Sequence, residues 1–153
     1  MKKRIFSALC AILLIFSLSA CAAKKTTCTL TIACETALTS AELDAETVAA
    51  LPSDGYLLPA TEVEFTDGES VLEVLRRTAQ EHALTLDVVD GEYPYVNAIG
   101  ELAGGSAGPM SGWLFSVNGE YPSVGVADIK VQAGDAIVFS YSCDGGADLG
   151  IVW

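Results

Sequence analysis

The chain predicts a small α+β domain carried behind an export signal. Three observations lead there. One stretch, Ser70 to about His82, has strong helical periodicity. Several short stretches alternate apolar and polar residues and are separated by Gly, Pro, Asn and Asp. The first twenty residues have a composition unlike the rest. One helix among short strands is the signature of a mixed domain rather than a bundle or a doubly wound sheet.

The leader opens with Lys2, Lys3 and Arg4, followed by an apolar run from Ile5 to Phe16 and the small residues of Ser17-Leu-Ser-Ala20. A basic head, a short apolar stretch and small residues before a cut make a secretory signal. The run is too short to span a bilayer, which takes roughly 20 apolar residues. Leu18-Ser19-Ala20-Cys21 resembles the lipobox of bacterial lipoproteins, which implies cleavage before Cys21 and diacylation of its thiol. The expected organisation is therefore a signal over 1–20, a lipidated tether over 21–27 and one domain over 28–153. Extended, the tether reaches roughly 20 Å, so the domain would sit close to an extracytoplasmic membrane face. Lys24 and Lys25 lie beside the lipid, where they either touch anionic headgroups or are simply solvated.

After cleavage at Cys21, five basic and twenty acidic residues remain, a net charge of −15. Such a chain repels phosphate backbones, so no nucleic-acid partner is expected.

Cys28-Thr-Leu-Thr-Ile-Ala-Cys34 alternates with period two and predicts a half-buried strand with Cys28, Leu30, Ile32 and Cys34 on one face. Short helices are expected between Thr36 and Leu51, with Thr39-x-x-Glu42 as a capping box. Pro52-Ser-Asp-Gly55 is turn chemistry. Tyr56 to Phe65 reads as an extended arm broken at Pro59, which belongs at an edge or bend because it has no N–H to donate. Ser70-Val-Leu-Glu73 is a second capping box. Val71, Val74, Leu75, Thr78 and Ala79 behind it fall on one helical face. Leu84, Leu86 and Val88 predict the next strand, and Tyr95 to Leu102 another. Gly104 to Pro109 is a loop. Gly112 to Val117 is a strand closed by an Asn118-Gly119 hairpin turn, and Ala136 to Cys143 is the last strand.

Gly68-Glu-Ser-Val-Leu-Glu-Val-Leu75, Ser111-Gly-Trp-Leu-Phe-Ser-Val-Asn-Gly119 and Gly134-Asp-Ala-Ile-Val-Phe-Ser-Tyr141 occur in that order. Together they resemble a bacterial domain-of-unknown-function family related to the C-terminal domain of transcobalamin and intrinsic factor. The resemblance covers Thr29 to about Gly150. It implies a β-grasp-like mixed sheet whose first and last strands are parallel neighbours, with the main helix packed across it. It also raises a corrinoid (cobalamin) as a candidate ligand. In that family the ligand is held between this domain and a large helical domain, and no segment here is long enough to be the helical half.

Cys28 and Cys34 stand six positions apart on a strand, so about 20 Å separates them. They neither pair nor share one metal ion. If the implied parallel pairing holds, Cys34 and Cys143 end neighbouring strands on one inward face, and a Cys34–Cys143 disulfide is expected. The alternatives are a Cys28–Cys143 pair or three buried free thiols.

No nucleophile–base motif, phosphate loop or zinc spacing is present, so neither catalysis, a cofactor nor a resident metal is expected. His82 reads as a helix-end cation. Asp144 and Asp148, with Asp128 or Asp135, offer carboxylates for calcium, though acids around a glycine pair more often make a solvated turn. The ligand-binding candidates are Tyr95, Trp113, Asn118 and Tyr121, whose side chains stack on rings or hydrogen-bond amides. The function this supports is a membrane-tethered, non-enzymatic binding module for a small molecule or protein, or else a corrinoid-binding lipoprotein working with a separate helical domain or transporter.

Overall fold

The structure is a computed structural model and describes residues 26–152. The signal, Cys21 and most of the tether lie outside the described residues. Within them no helix is long and apolar enough to cross a membrane.

Two sheets and one main helix make up the domain. Strands β1 (Thr27–Ala33), β2 (Tyr56–Glu64), β6 (Gly112–Val117) and β7 (Ala136–Ser142) form a four-stranded sheet in the order β2-β1-β7-β6. Strands β3 (Leu86–Val89), β4 (Tyr95–Ile99) and β5 (Leu102–Ala103) form a three-stranded antiparallel sheet in chain order. The first and last strands are parallel, with Thr29 opposite Ala136 and Ala33 opposite Ser140. The other pairs in the larger sheet are antiparallel. This is the mixed, β-grasp-like arrangement that the resemblance implies.

The period-two pattern of β1 works as expected. Cys28, Leu30, Ile32 and Cys34 are all buried. Helix α1 (Ala45–Ala50) is short, and a 3₁₀ turn over Glu35–Thr39 precedes it. The expected capping box at Thr39 does not form. Asp44 caps α1 instead, accepting from the Thr47 backbone N–H at 2.8 Å and from its hydroxyl at 2.7 Å. A carboxylate that accepts from both groups of Thr47 outcompetes a threonine whose hydroxyl turns back to the Thr36 carbonyl. Pro59 does not break β2. It lies on an edge strand where the register against β1 slips between Leu30 and Ile32, so the missing N–H interrupts no ladder.

Helix α2 (Val71–Glu81) has a complete capping box. The Glu73 N–H donates to Ser70 Oγ at 3.3 Å, and the Ser70 N–H donates to Glu73 Oε2 at 2.7 Å. Val71, Leu72, Val74, Leu75, Thr78 and Ala79 are buried against the sheet. They share one core with Leu30, Ile32, Ile137 and Phe139. Exposed His82 ends the helix, donating its N–H to the Thr78 carbonyl at 3.0 Å. A second cluster beyond it gathers Cys34, Ala37, Leu51, Leu102, Ala107 and Tyr141.

Two strand boundaries differ from the expectation. The stretch Tyr95–Leu102 is two strands, because Gly100 takes a left-handed backbone (φ 60°) and folds β5 back on β4. The Asn118-Gly119 turn does form, with φ 55° and 83° and reciprocal bonds between Val117 and Glu120. It does not deliver β6 to its partner, however. Residues 120–135 make an excursion before β7 begins. That excursion is pinned to the start of α2, where the Val71 and Leu72 N–H groups donate to the Ile129 and Val126 carbonyls at 3.0 and 3.1 Å. First-turn helix donors have no partner within their own helix, and here the loop supplies one.

The capping box gives a direct test. Ser70→Ala should cost about 1 kcal/mol in chemical denaturation near neutral pH. The Ser70 N–H, and then its hydroxyl, hold the Glu73 carboxyl below its ordinary range. A depressed carboxyl contributes stability above its unfolded pKa and loses it as pH falls. The gap between Ser70→Ala and the parent should therefore narrow in acid. A gap unchanged down to acid pH would count against the 2.8 Å bond from the Ser70 hydroxyl to the Glu73 carboxylate, since the variant keeps the backbone N–H.

Candidate functional site

The structure brings together three of the four ligand-binding candidates. A cleft of about 190 Å³ opens between the start of β4, the outer strand β6 and the loop after it. Pro94, Tyr95 and Val96 form one wall. Trp113, Leu114 and Phe115 form the second, and Tyr121, Pro122, Gly125 and Val126 the third, with Phe139 of β7 also lining it. Three consecutive residues of β6 line the cleft, so it runs along the edge of that strand, where no further strand pairs.

Packing fixes the two aromatic side chains of β6. Trp113 donates its indole N–H to the Leu102 carbonyl at 2.9 Å and meets Tyr141 edge-on, with ring centroids 5.3 Å apart. Phe115 stacks on Phe139 at 5.7 Å. Tyr141 is fully buried, and its hydroxyl donates to the Ala103 carbonyl at 2.8 Å. That bond ties β7 to the β5 end of the smaller sheet, so the two sheets keep their spacing and the cleft between them is preformed. Tyr121 is half-buried and Tyr95 is 54% exposed. No carboxylate, histidine, thiol or amine lines the cleft. It is built for apolar and ring contacts.

Asn118, the fourth candidate, does not line the cleft. Its side chain accepts from the Ala136 N–H at 2.9 Å and donates to Asp135 at 2.9 Å. With its own N–H bonded to the Ala136 carbonyl, it clamps the two ends of the excursion together. Leu114, Phe139 and Gly125 were not singled out from the sequence. None of them carries a local signal in the sequence; the need for Gly125 shows only in the fold, where a Cβ would stand 3.0 Å from Asp128 Oδ2.

The disulfide expected from strand adjacency is not formed; Cys28, Cys34 and Cys143 are free thiols. The strands are neighbours, but the register is wrong. Ala33 stands opposite Ser140, so Cys34 falls opposite Tyr141 and Cys143 lies two residues further on. One strand spacing combined with two residue rises puts the pair about 8 Å apart, beyond the range of about 7 Å that bridging tolerates. The register also keeps Cys28, at the far end of β1, away from Cys143. Cys143 Sγ instead contacts Thr36 Oγ1 at 3.8 Å. Burial pushes the Cys34 thiol up to about 11, with Asp54 and Glu35 adding to the effect.

The candidate calcium loop is closed on itself. Asp148 accepts from the Ser142 hydroxyl and from the Cys143 N–H, the latter at 2.7 Å. Ser142 Oγ accepts in turn from the Gly146 N–H at 2.7 Å. Among the described residues no group of three or more His, Cys, Asp or Glu is placed to hold a metal.

A family profile described as "Domain of unknown function (DUF4430)" matches residues 68–143, from the turn before α2 to the residue after β7. A DUF4430 domain is therefore present, and it contains all three walls of the cleft. The fold is similar to a crystal structure from Ruminococcus gnavus provisionally described as a metal-binding protein. The TM-score is 0.50 and the identity 18%, over 77% of this chain and 97% of that one. It is also similar to haptocorrin in complex with Cbi, with a TM-score of 0.51 and 15% identity over 77% of this chain. The match takes in only 25% of the haptocorrin chain. At these identities the likeness is one of fold, and at that level the resemblance to the transcobalamin group holds. No curated protein is detectably similar in sequence.

Thiol reactivity tests the register. In the unreduced native protein Cys143, the half-exposed thiol, should alkylate first, with Cys28 and Cys34 protected until unfolding. A linked Cys34–Cys143 peptide in the unreduced digest would contradict the two-residue offset.

Proposed function

We propose that the protein is a membrane-tethered, extracytoplasmic lipoprotein that acts as a non-enzymatic binding module, and that its ligand occupies the aromatic cleft. The observation that carries this reading is the cleft itself: preformed, lined by Tyr95, Trp113, Phe115 and Tyr121, with no carboxylate, histidine, thiol or amine in its lining. Concave apolar sites with a few fixed polar groups are the usual form of small-molecule sites. The tether rests on Leu18-Ser-Ala-Cys21 after an apolar run, with only a few residues between Cys21 and β1. Cys21→Ser should abolish fatty-acid labelling and move the protein out of the membrane fraction. Unchanged labelling and fractionation of that variant would sink the tether.

A second reading, a corrinoid ligand, is favoured by the fold shared with haptocorrin. A volume of about 190 Å³ is below the 300–1,000 Å³ typical of sites that enclose a whole ligand. A macrocycle would therefore rest on the cleft mouth and bury one face only. On this account cobalamin binds the isolated protein no tighter than roughly millimolar, about −4 kcal/mol. Micromolar affinity in a calorimetric titration, lost in Tyr121→Ala, would replace the first reading with the second.

A further inference from the structure

We infer that the cleft selects a small organic cation, an alkylammonium or quaternary ammonium head of choline size. The inference rests on the cleft being the ligand site and names the class of ligand. Five aromatic residues, Tyr95, Trp113, Phe115, Tyr121 and Phe139, line it from β4, β6, the loop after β6 and β7. Aromatic ring faces carry negative quadrupole potential, and cages of such rings recognise quaternary ammonium groups. Charge points the same way. The described residues hold three basic side chains, Arg76, Arg77 and Lys130, against twenty acidic ones, a net charge of −17. None of the three basic residues lines the cleft. Arg76 pairs with Asp90, and Arg77 pairs with Glu69 and Glu81, on and around α2. Lys130 stands beside the helix start, its backbone in an isolated β-bridge with Ser70. The charged side chain bonded to the cleft wall is Asp128, whose Oδ2 accepts from the Gly125 N–H at 3.1 Å. A cation is thus drawn by the ring faces, by Asp128 and by the field of the whole domain, while an anion meets all three as repulsion. Size agrees, because about 190 Å³ suits one compact head group rather than an extended molecule.

The test uses the full-length protein in maltoside micelles and NMR titration with three probes of nearly equal shape. These are choline, its uncharged carbon isostere dimethylbutanol, and the anion tert-butylacetate. Choline should bind roughly 5- to 30-fold more tightly than the alcohol, with the anion weakest, and should shift Tyr95, Tyr121 and the Trp113 indole. Tyr121→Leu should erase most of that preference. Asp128→Asn, which keeps an oxygen for the Gly125 N–H, should lower choline affinity several-fold and leave the alcohol unaffected. Equal affinity for choline and the alcohol at the cleft would overturn the cation inference and leave the binding-module reading standing. A choline preference that survives both substitutions would place its origin elsewhere and overturn the inference as well. Absence of shifts with all three probes would count against the cleft as a site and remove both.

Discussion

The parallel pairing of β1 with β7 is the constraint on which the remaining structure depends. It joins residues more than a hundred positions apart, Thr29 with Ala136 through Ala33 with Ser140, in the middle of the larger sheet. Parallel neighbours need a long crossover, and here the crossover contains nearly everything else, including α2 and the smaller sheet. Once β7 is placed, its inward residues Ile137, Phe139 and Tyr141 are committed to the core. Phe139 then supports the helix side of the core and the cleft, while Tyr141 reaches the smaller sheet through its hydroxyl. The same register decides the chemistry of the thiols, since a two-residue offset leaves Cys34 facing Tyr141 and not Cys143.

The cleft inherits its rigidity from this arrangement. Its β6 wall hangs on β7 through a regular antiparallel ladder. Its third wall is a loop, and loops ordinarily move. Here the loop is held at both ends by Asn118 and in the middle by the first N–H groups of α2. Trp113 and Phe115 are held in place by the fold, and groups fixed in advance lose little ordering entropy when a ligand binds. On the proposed function, the acids elsewhere on the domain would bias which ligands approach and leave the contacts within the cleft to the rings.

Features written in local chemistry were legible in the sequence. The Ser70/Glu73 box, the stripe on α2 and the alternation of β1 each depend on residues a few positions apart. Tyr95, Trp113 and Tyr121 were recognisable as ring-bearing candidates, and the fold brings them to one place. What depended on register or on competition between neighbours was not legible. Strand adjacency suggested Cys34 with Cys143, but adjacency does not specify an offset of two residues. Thr39 and Asp44 both offer a cap, and only the geometry of Thr47 decides between them. Asn118 looked like a ligand contact because its side chain can hydrogen-bond amides. Here its amide is spent on Asp135 and Ala136, seventeen and eighteen positions away.

On the proposed function, one site, the aromatic cleft, does the binding. An NMR screen of the protein against a set of small fragments, cationic, neutral and anionic, tests it whatever the native ligand is. The domain has a rival concavity between β2 and α2, polar and lined by Glu62, Glu64, Arg77, Glu81 and His82. Fragments that bind should shift Tyr95, Trp113 and Tyr121 and leave that polar groove silent. Fragments that gather in the polar groove, with the cleft unshifted, would contradict it.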